Sequence, residues 1–245
     1  YRQCASLEQD HGIRISRQTL VDALMASGNL MQALVKPLKA DLLAGGYIQA
    51  DETTVPVQSA AVRGRNHRGY LWQYGRPGGP VVFDFQMGRS REGPKTLLQG
   101  FQGWLQSDGY SAYAQLGEGI RHAGCLVHAR RYYFEAAQLS PTAPEPREML
   151  GLFAQIYAVE EEAREAGLLP PARLELRQAR SRPLMETLKR RASEIHKAAL
   201  PSSKIGEACA YTLSQWERLE QFLNDGILEA DNNLCENGMR PIALG

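Results

Sequence analysis

Residues 69–86 read GYLWQYGRPGGPVVFDFQ, two runs of aromatic and β-branched residues separated by Arg76, Pro77, Gly78 and Gly79. Aromatic and β-branched residues are enriched in strands, whereas proline and glycine together mark turns. The stretch therefore predicts a β-hairpin with a loose turn, and a β-hairpin needs a further strand to bury one of its faces.

A candidate for that further strand begins after Gly45 and Gly46, where apolar residues flank a short polar stretch that contains Asp51. The apolar residues are Tyr47, Ile48, Val55 and Val57. This pattern predicts a strand that carries Asp51, so that three antiparallel strands form the first half of a sheet.

Extended and helical patterns alternate downstream of the hairpin. We predict a helix at 95–101, a strand at 103–107 that ends at Asp108, a short helix at 111–116, a fifth strand at 120–125 and a helix at 128–138. The order predicts an α/β fold with a mixed five-stranded sheet and flanking helices.

The flanking regions read as helical. From Ser16 to Leu43, apolar residues recur every three or four positions with a break near Gly28, as in two amphipathic helices of which Ser16 caps the first. Residues 7–24 also match the outline of a helix-turn-helix, a pattern that often arises by chance. Near the end of the chain, a short helix begins at Asn232 or Asn233 and carries Glu236.

Four segments follow from these patterns. They are an N-terminal helical segment (1–45), the first part of the core (46–138), a Pro-rich and then α-helical insertion (139–224), and the end of the core with the helix of Glu236 (225–245).

The composition is that of a folded, water-soluble protein. Hydrophobic residues make up 43% of the 245 residues and charged residues 22%, and no apolar run approaches the roughly 18 residues that cross a bilayer. The first ten residues show no basic start followed by an apolar stretch, so we expect a cytoplasmic protein without a membrane role. The four cysteines are scattered and form no C-x-x-C pair, which predicts reduced thiols.

A net charge of only +1 provides no overall electrostatic signal for nucleic acid. The segment Ala172–Lys197 holds eight basic and three acidic residues, which suits either a phosphate-binding patch or an ordinary solvated helix face. We therefore expect these 245 residues to bind duplex DNA weakly and with little preference for sequence.

Three carboxylates have the placement that phosphodiester chemistry requires. Asp51 and Asp108 each end a predicted strand, and Glu236 lies on a late helix, so all three can meet at one edge of a sheet. Two divalent cations about 3.5 to 4 Å apart need such a cluster of oxygen ligands. Because the chain has 27 acidic residues, spacing alone leaves Glu52 and Asp231 open as alternatives, and Glu236 also suits a helix cap.

The short sequence motifs around these acids are more specific than the spacing of the acids. They are Ala50-Asp51-Glu52-Thr53, Ser107-Asp108-Gly109-Tyr110, Cys125-Leu126-Val127-His128-Ala129-Arg130-Arg131 and Asp231-Asn232-Asn233-Leu234-Cys235-Glu236, followed by Arg240-Pro241. The chain resembles the DDE transposases of the insertion sequence sixty-six family, in which D-E-T, D-G-Y, C-x-x-H-x-R-R and D-N-N-x-x-E occur in this order. The resemblance covers nearly the whole sequence.

The resemblance implies a ribonuclease H-like fold in which Asp51, Asp108 and Glu236 bind two Mg²⁺ or Mn²⁺ ions. It implies hydrolysis at transposon ends and strand transfer into target DNA, so that double-stranded DNA is the partner. It also implies a homo-oligomer in the active complex and a nucleoid-associated location in a bacterial-type cytoplasm, and it leaves open whether accessory proteins of the same element are required. Relatives often carry arginine where this chain has Asn237, which puts a phosphate contact there in doubt.

Four further residues are expected to bind substrate: His128, Arg130, Arg131 and Asn232. His128 would bond a phosphate oxygen or orient a carboxylate, and only one of the two adjacent arginines can readily face the site. Cys125 and His128 are too few for a zinc site, and we expect Cys125 to pack in the core. Trp72, Trp104 and Trp216 are expected to be core residues.

Two other functions stay open at the level of sequence. A ribonuclease H-like nuclease or junction resolvase would share the carboxylates without strand transfer. A non-catalytic DNA-binding or assembly protein would not need them, and the presence of all three acids argues against it.

Overall fold

The computed structural model describes residues 2–58 and 66–244, except for the side chains of Glu236, Arg240 and residues 241–244. The chain divides into two compact units, Tyr1–Asp41 and Leu42–Gly245. Within the described residues, no helix has the length and apolar character that crossing a membrane requires.

The first unit contains α1 (Arg2–His11) and most of α2 (Arg17–Ala44). The hydroxyl of Ser16 accepts the Thr19 N–H at 3.0 Å, which confirms Ser16 as a helix cap. The predicted break at Gly28 is wrong, because α2 continues through Gly28 for 28 residues. A glycine inside a helix costs only about 1 kcal/mol relative to alanine, which the surrounding helix-forming residues offset.

A mixed five-stranded sheet forms the centre of the second unit, as predicted. Its strands are β1 (Tyr47–Gln58), β2 (Asn66–Gly75), β3 (Val81–Gln86), β4 (Gly103–Gln106) and β5 (Ile120–Ala123), in the order β3-β2-β1-β4-β5. Strands β1, β2 and β3 are antiparallel to one another, whereas β4 is parallel to β1 and β5 is parallel to β4. This α/β arrangement is consistent with a ribonuclease H-like fold.

The helices of the second unit follow the predicted order with shifted bounds. They are α3 (Glu92–Leu97), α4 (Leu126–Leu139), α5 (Pro144–Glu165), α6 (Pro170–Leu176), α7 (Arg182–Ala198), α8 (Lys204–Ser214), α9 (Trp216–Leu219) and α10 (Asn233–Leu244). Short 3-10 turns lie at Ser111–Tyr113 and Glu220–Leu223, and a π-helical turn at Arg177–Ser181 joins α6 to α7.

Helix α5 begins at Pro144, within the stretch that we predicted to be Pro-rich and to precede the helices of the insertion. Proline suits the first turn of a helix, where its missing N–H would have no partner inside the helix. Two prolines of that stretch, Pro144 and Pro146, therefore lie inside the start of the helix, whereas Pro141 precedes it.

Alternate residues of the strands face two separate hydrophobic cores. Tyr47 and Trp104 pack on one face with residues of α4, α5, α7 and α8. Ile48, Ala50 and Leu105 pack on the other face with Leu42, Leu97, Phe101 and Tyr113. As predicted, Trp72, Trp104 and Trp216 are buried, with 0%, 6% and 5% of their surfaces exposed.

Gly103, the first residue of β4, should not tolerate a side chain. Its φ is +145°, and an added Cβ would lie 2.1 Å from the Gly46 carbonyl oxygen, which accepts the Trp104 N–H. We expect Gly103→Ala to lower the free energy of unfolding by about 2 kcal/mol, measured by urea denaturation. Gly151→Ala in α5, where an added Cβ meets no atom within 4 Å, is the control and should be neutral or slightly stabilising. Equal stability of the two variants would contradict this account of β4.

Candidate active site

Asp51 lies in the interior of β1, opposite Gln73 of β2. The prediction that it ends its strand is wrong, because β1 pairs with β2 as far as Gln58. The parallel pairing of β1 with β4 ends earlier, at Gln49 and Gln106. Asp51 therefore lies two residues beyond the point at which β1 and β4 stop pairing, and its half-buried side chain has no β4 residue beside it.

Asp108 follows β4 by two residues and lies in a tight turn. Its Oδ1 atom accepts the Tyr110 N–H at 2.8 Å, and its carbonyl oxygen accepts the Tyr211 hydroxyl of α8 at 2.6 Å. Gly109 has a φ of +88°, and an added Cβ would lie 2.6 Å from the Gln215 side chain. The glycine of the D-G-Y motif therefore permits both the turn and the close approach of the chain near α8.

Both aspartates act electrostatically on one buried pair, Glu52 and Tyr113. Burial raises the pKa of Glu52, and the charge of Asp108 raises this pKa further, against hydrogen bonds from Arg89 and Tyr113 that lower it. Burial raises the pKa of Tyr113 well above its usual value, and the charges of Glu52 and Asp51 add to this effect. Asp51 and Asp108 each lie two residues beyond the last pair of the parallel strands β1 and β4, so both residues are at the same corner of the sheet.

Glu52 itself is fully engaged within the protein. Only 3% of its side chain is exposed, one carboxylate oxygen is in an ion pair with Arg89, and the other accepts the Tyr113 hydroxyl at 2.8 Å. The guanidinium of Arg89 also stacks 3.6 Å from the centre of the Tyr110 ring. Glu52 is therefore a structural ion-pair partner, and strand alternation places it on the opposite face of β1 from Asp51.

Two buried glutamines form hydrogen bonds with the part of the chain that leads to α10. Gln106 donates to the Glu229 carbonyl at 2.8 Å, and Gln49 donates to the Asp231 carbonyl at 2.8 Å. Both glutamines are almost completely buried. Neither glutamine was among the predicted site residues, although a glutamine at an inward-facing strand position is a signal of a buried polar network.

The N-terminal end of α10 lies against β1 and β2. The Cys235 thiol donates to the carbonyls of Gln49 and Gln73 at 3.7 and 3.6 Å, and an added Cβ on Gly238 would lie 2.5 Å from the Gln73 amide nitrogen. Gln49, Asp51 and Gln73 share a face of the sheet because of strand alternation and cross-strand pairing. Helix α10 therefore begins on the face that carries Asp51.

Glu236 occupies the first turn of α10, one residue after Cys235, and its side chain lies outside the described residues. The alternative acid, Asp231, instead accepts the backbone N–H and the side-chain amide of Asn233, each at 3.0 Å. Asp231 thus helps to start the helix.

The other predicted site residues occupy two places. His128, half-buried, and Arg130 and Arg131, both exposed, lie in the first half of α4. Arg130 lies close enough to Tyr157 to lower its pKa, against burial and the charge of Asp231, which raise it. Asn232 is completely buried and donates to the Ala50 carbonyl at 3.4 Å, so it holds the start of α10, and its contact with substrate stays a prediction.

The basic segment Ala172–Lys197 is not an open patch. Arg177 is completely buried, so it belongs neither to a phosphate-binding patch nor to a solvated helix face. Several of its neighbours are paired with carboxylates: Arg173 with Glu229, Arg180 with Glu162, Arg190 with Glu194, and Arg191 with Glu148 and Glu194. Composition alone does not distinguish an arginine inside the fold from one on its surface.

The donor atoms around Asp51 suit a hard divalent cation. Asp51 and Asp108 provide carboxylate oxygens, which Mg²⁺ and Mn²⁺ prefer. Two buried amide oxygens, those of Gln73 and Asn232, lack a hydrogen-bond partner within the described part of the chain. Among the described side chains, no three His, Cys, Asp or Glu residues form a metal-binding group, and Glu236 is not one of those side chains.

Removal of the Tyr211 hydroxyl should loosen the Asp108 turn. A single hydrogen bond contributes about 1 kcal/mol, so we expect Tyr211→Phe to weaken Mn²⁺ binding roughly fivefold. The matched control is Tyr132→Phe, since Tyr132 stacks on Tyr211 with the ring centres 4.6 Å apart. Isothermal titration with Mn²⁺ checks the prediction, and equal affinities for both variants would contradict it.

Comparison with known proteins agrees with the ordered motifs. The family model described as "Transposase IS66 family" matches residues 1–245. The chain is similar to two uncharacterized proteins of Sinorhizobium fredii, y4qI and y4jD. It is 32% identical to y4qI over 259 residues, which cover 98% of this chain and 47% of y4qI. It is 33% identical to y4jD over 264 residues, which cover 100% of this chain and 50% of y4jD. The chain thus spans about half the length of these curated relatives.

Proposed function

Because this chain belongs to the IS66 family of transposases, we propose that it forms the catalytic part of an enzyme that cuts and joins DNA with two divalent metal ions. The family assigns the chain to DNA transposition. The observation that supports the catalytic proposal is the register of β1 and β4: Asp51 and Asp108 each lie two residues beyond the last pair of these strands, and α10 contacts β1 and β2.

In this proposal, Asp51, Asp108 and Glu236 hold two Mg²⁺ or Mn²⁺ ions. The ions would supply activation of the attacking oxygen and neutralisation of the departing one. Tyr211 and Gly109 keep the Asp108 carboxylate in its turn, and Cys235 and Asn232 keep the first turn of α10 on the face of Asp51. The arginines at the start of α4 bind DNA phosphates.

The proposed reaction has two steps. Water attacks a phosphorus at the transposon end, the bond from phosphorus to the 3′ oxygen breaks, and a free 3′ hydroxyl and a 5′ phosphate result. That 3′ hydroxyl then attacks a phosphorus of target DNA and displaces another 3′ oxygen. Each step exchanges one phosphorus–oxygen bond for another, so no covalent protein intermediate is needed.

The partners proposed for the whole protein are the two DNA duplexes, further copies of the chain in a homo-oligomer, and accessory proteins of the same element. A nucleoid-associated location follows from the DNA substrate.

The test uses the full-length protein with Mg²⁺, pre-cut transposon ends and a target plasmid. We expect the ends to become joined to the plasmid. A nuclease or resolvase would cut DNA without joining it, and a non-catalytic assembly protein would bind the ends without cutting or joining. Either result would overturn the proposal.

A further inference from the structure

Arg177, the first residue of the π-helical turn between α6 and α7, is completely buried. It faces the Glu160 carboxylate of α5 with two donors, and its Nε lies 2.8 Å from Glu160 Oε1. Glu160 is only 6% exposed. The two charges therefore neutralise each other inside the protein, and neither is accessible to DNA.

The remaining donor group of Arg177 reaches a different part of the chain. Its Nη1 donates to the carbonyls of Phe222 at 3.0 Å and Leu228 at 2.8 Å, and it lies 3.5 Å from that of Asp225. These carbonyls belong to residues 222–232, which we call the connecting segment. It comprises the last two residues of the 3-10 turn at Glu220–Leu223 and the chain from there to α10.

Two neighbours of Arg177 bind the same segment. Gln178 donates to the Leu223 carbonyl. Arg173 donates to the Gly226 carbonyl at 2.8 Å and to the Glu229 carboxylate at 2.8 Å. One side of the connecting segment is therefore bound by Arg173, Arg177 and Gln178.

The sheet and α4 bind the other side. Gln106 and Gln49 donate to the carbonyls of Glu229 and Asp231, and the Leu126 N–H donates to that of Ala230 at 3.0 Å. Residues 224–232 form neither helix nor strand, and several of their carbonyls are bound by donors from outside the segment. The segment is thus held between α6–α7 and the sheet, and it ends where α10 begins.

We propose that Arg177 is a positioning residue that, through the connecting segment, holds the first turn of α10 beside Asp51 and so sets the site for metal binding. The proposal rests on the proposed function, because it assigns a task to the helix of Glu236. Arg177 is not a catalytic residue, since it touches neither the carboxylates of the site nor, being buried, DNA.

The chemistry of arginine suits this task better than a purely stabilising one. A buried ion pair is costly to desolvate, and apolar residues of similar volume often stabilise a fold equally well. A guanidinium, however, has five donors in a rigid fork, so Arg177 can bind Glu160 on one side and several carbonyls on the other. Lysine has one compact ammonium group and cannot occupy both sets of acceptors with the same geometry.

The first arm of the test is amide hydrogen exchange of the wild type, Arg177→Lys and Arg180→Lys. Arg180 is the matched control, because it lies in the same π-helical turn but is half-exposed and pairs with Glu162 at the surface. We expect Arg177→Lys to speed exchange of amides in residues 226–236 at least tenfold, with a smaller change in α5 and α7 and no such change in Arg180→Lys. Uniform acceleration, or none, would overturn the proposal.

The second arm measures Mn²⁺ binding to the same variants and to Asp51→Asn. We expect Arg177→Lys to raise the Mn²⁺ dissociation constant about tenfold, while Arg180→Lys stays within twofold of the wild type. If Asp51→Asn weakens binding and Arg177→Lys does not, the positioning role is overturned. If Asp51→Asn leaves binding unchanged, the proposed function fails at its metal site, and the assignment of Arg177 to that site fails with it, whereas hydrogen exchange still decides whether Arg177 holds the segment.

Discussion

Asp51→Asn is expected to reduce metal-dependent strand cleavage by the full-length protein by about a thousandfold. The substitution replaces a charged oxygen ligand with a neutral amide, and stabilisation by bound metal contributes several kcal/mol, of which each 1.36 kcal/mol corresponds to a factor of ten in rate. DNA binding should stay nearly intact, because it depends mainly on phosphate contacts elsewhere. Cleavage of a labelled transposon end and a filter-binding assay on the same samples measure both quantities.

The neighbouring residue provides the control. Glu52→Gln removes a carboxylate that is already engaged by Arg89 and Tyr113, so it should lower stability and reduce cleavage less than tenfold. Full cleavage by Asp51→Asn would refute its role. A greater loss in Glu52→Gln than in Asp51→Asn would assign the ligand to Glu52.

Arg177→Met is expected to lower the free energy of unfolding by about 3 to 5 kcal/mol, because the Glu160 carboxylate would be left buried without its partner. The double variant Arg177→Met/Glu160→Met should recover most of this loss, since it removes both charges and fills the space with apolar atoms. Urea denaturation of the wild type, the two single variants and the double variant measures the coupling between the residues.

The double variant also separates stability from positioning. We expect it to unfold near the wild-type urea concentration and yet to keep the faster amide exchange in residues 226–236, because methionine donates no hydrogen bond to the carbonyls of the connecting segment. A single variant within 1 kcal/mol of the wild type would contradict the burial of an unpaired charge.

Local sequence signals predicted much of the sheet. The hairpin of β2 and β3 could be predicted because its strands and its turn are adjacent in the chain, and each has a characteristic composition. The location of Asp51 within its strand could not be predicted in this way. Pairing with β2 sets the end of β1. The point at which β1 stops pairing with β4 depends on residues more than fifty positions away, and local periodicity contains no information about them.

The helical regions show the same limit in a different form. Periodicity located the helices, but it broke α2 at Gly28 and began α5 after Pro144 and Pro146, since residue preference is only a weak local bias. The charge count of Ala172–Lys197 likewise did not distinguish Arg177 from its exposed neighbours. The burial of Arg177 depends on Glu160 and on carbonyls of the connecting segment, which are far from it in sequence.

For the site, the ordered motifs indicated more than spacing did. They singled out Asp51 and Asp108, which each lie two residues beyond the last pair of β1 and β4, and Glu236, which lies on a helix that contacts β1 and β2. They did not include Gln49 or Gln106, because these glutamines bind backbone carbonyls and have no proposed part in the reaction. The metal-binding role of the three acids stays a prediction.

A crystal of the protein soaked in Mn²⁺ tests that role most directly. The account predicts two peaks of anomalous density about 3.5 to 4 Å apart, with the carboxylates of Asp51 and Asp108 and that of Glu236 as their protein ligands. It also predicts that both peaks disappear or weaken in Asp51→Asn. Density that is absent from this corner, or that is bound by Glu52 or Asp231 instead of Asp51 and Glu236, would contradict the account.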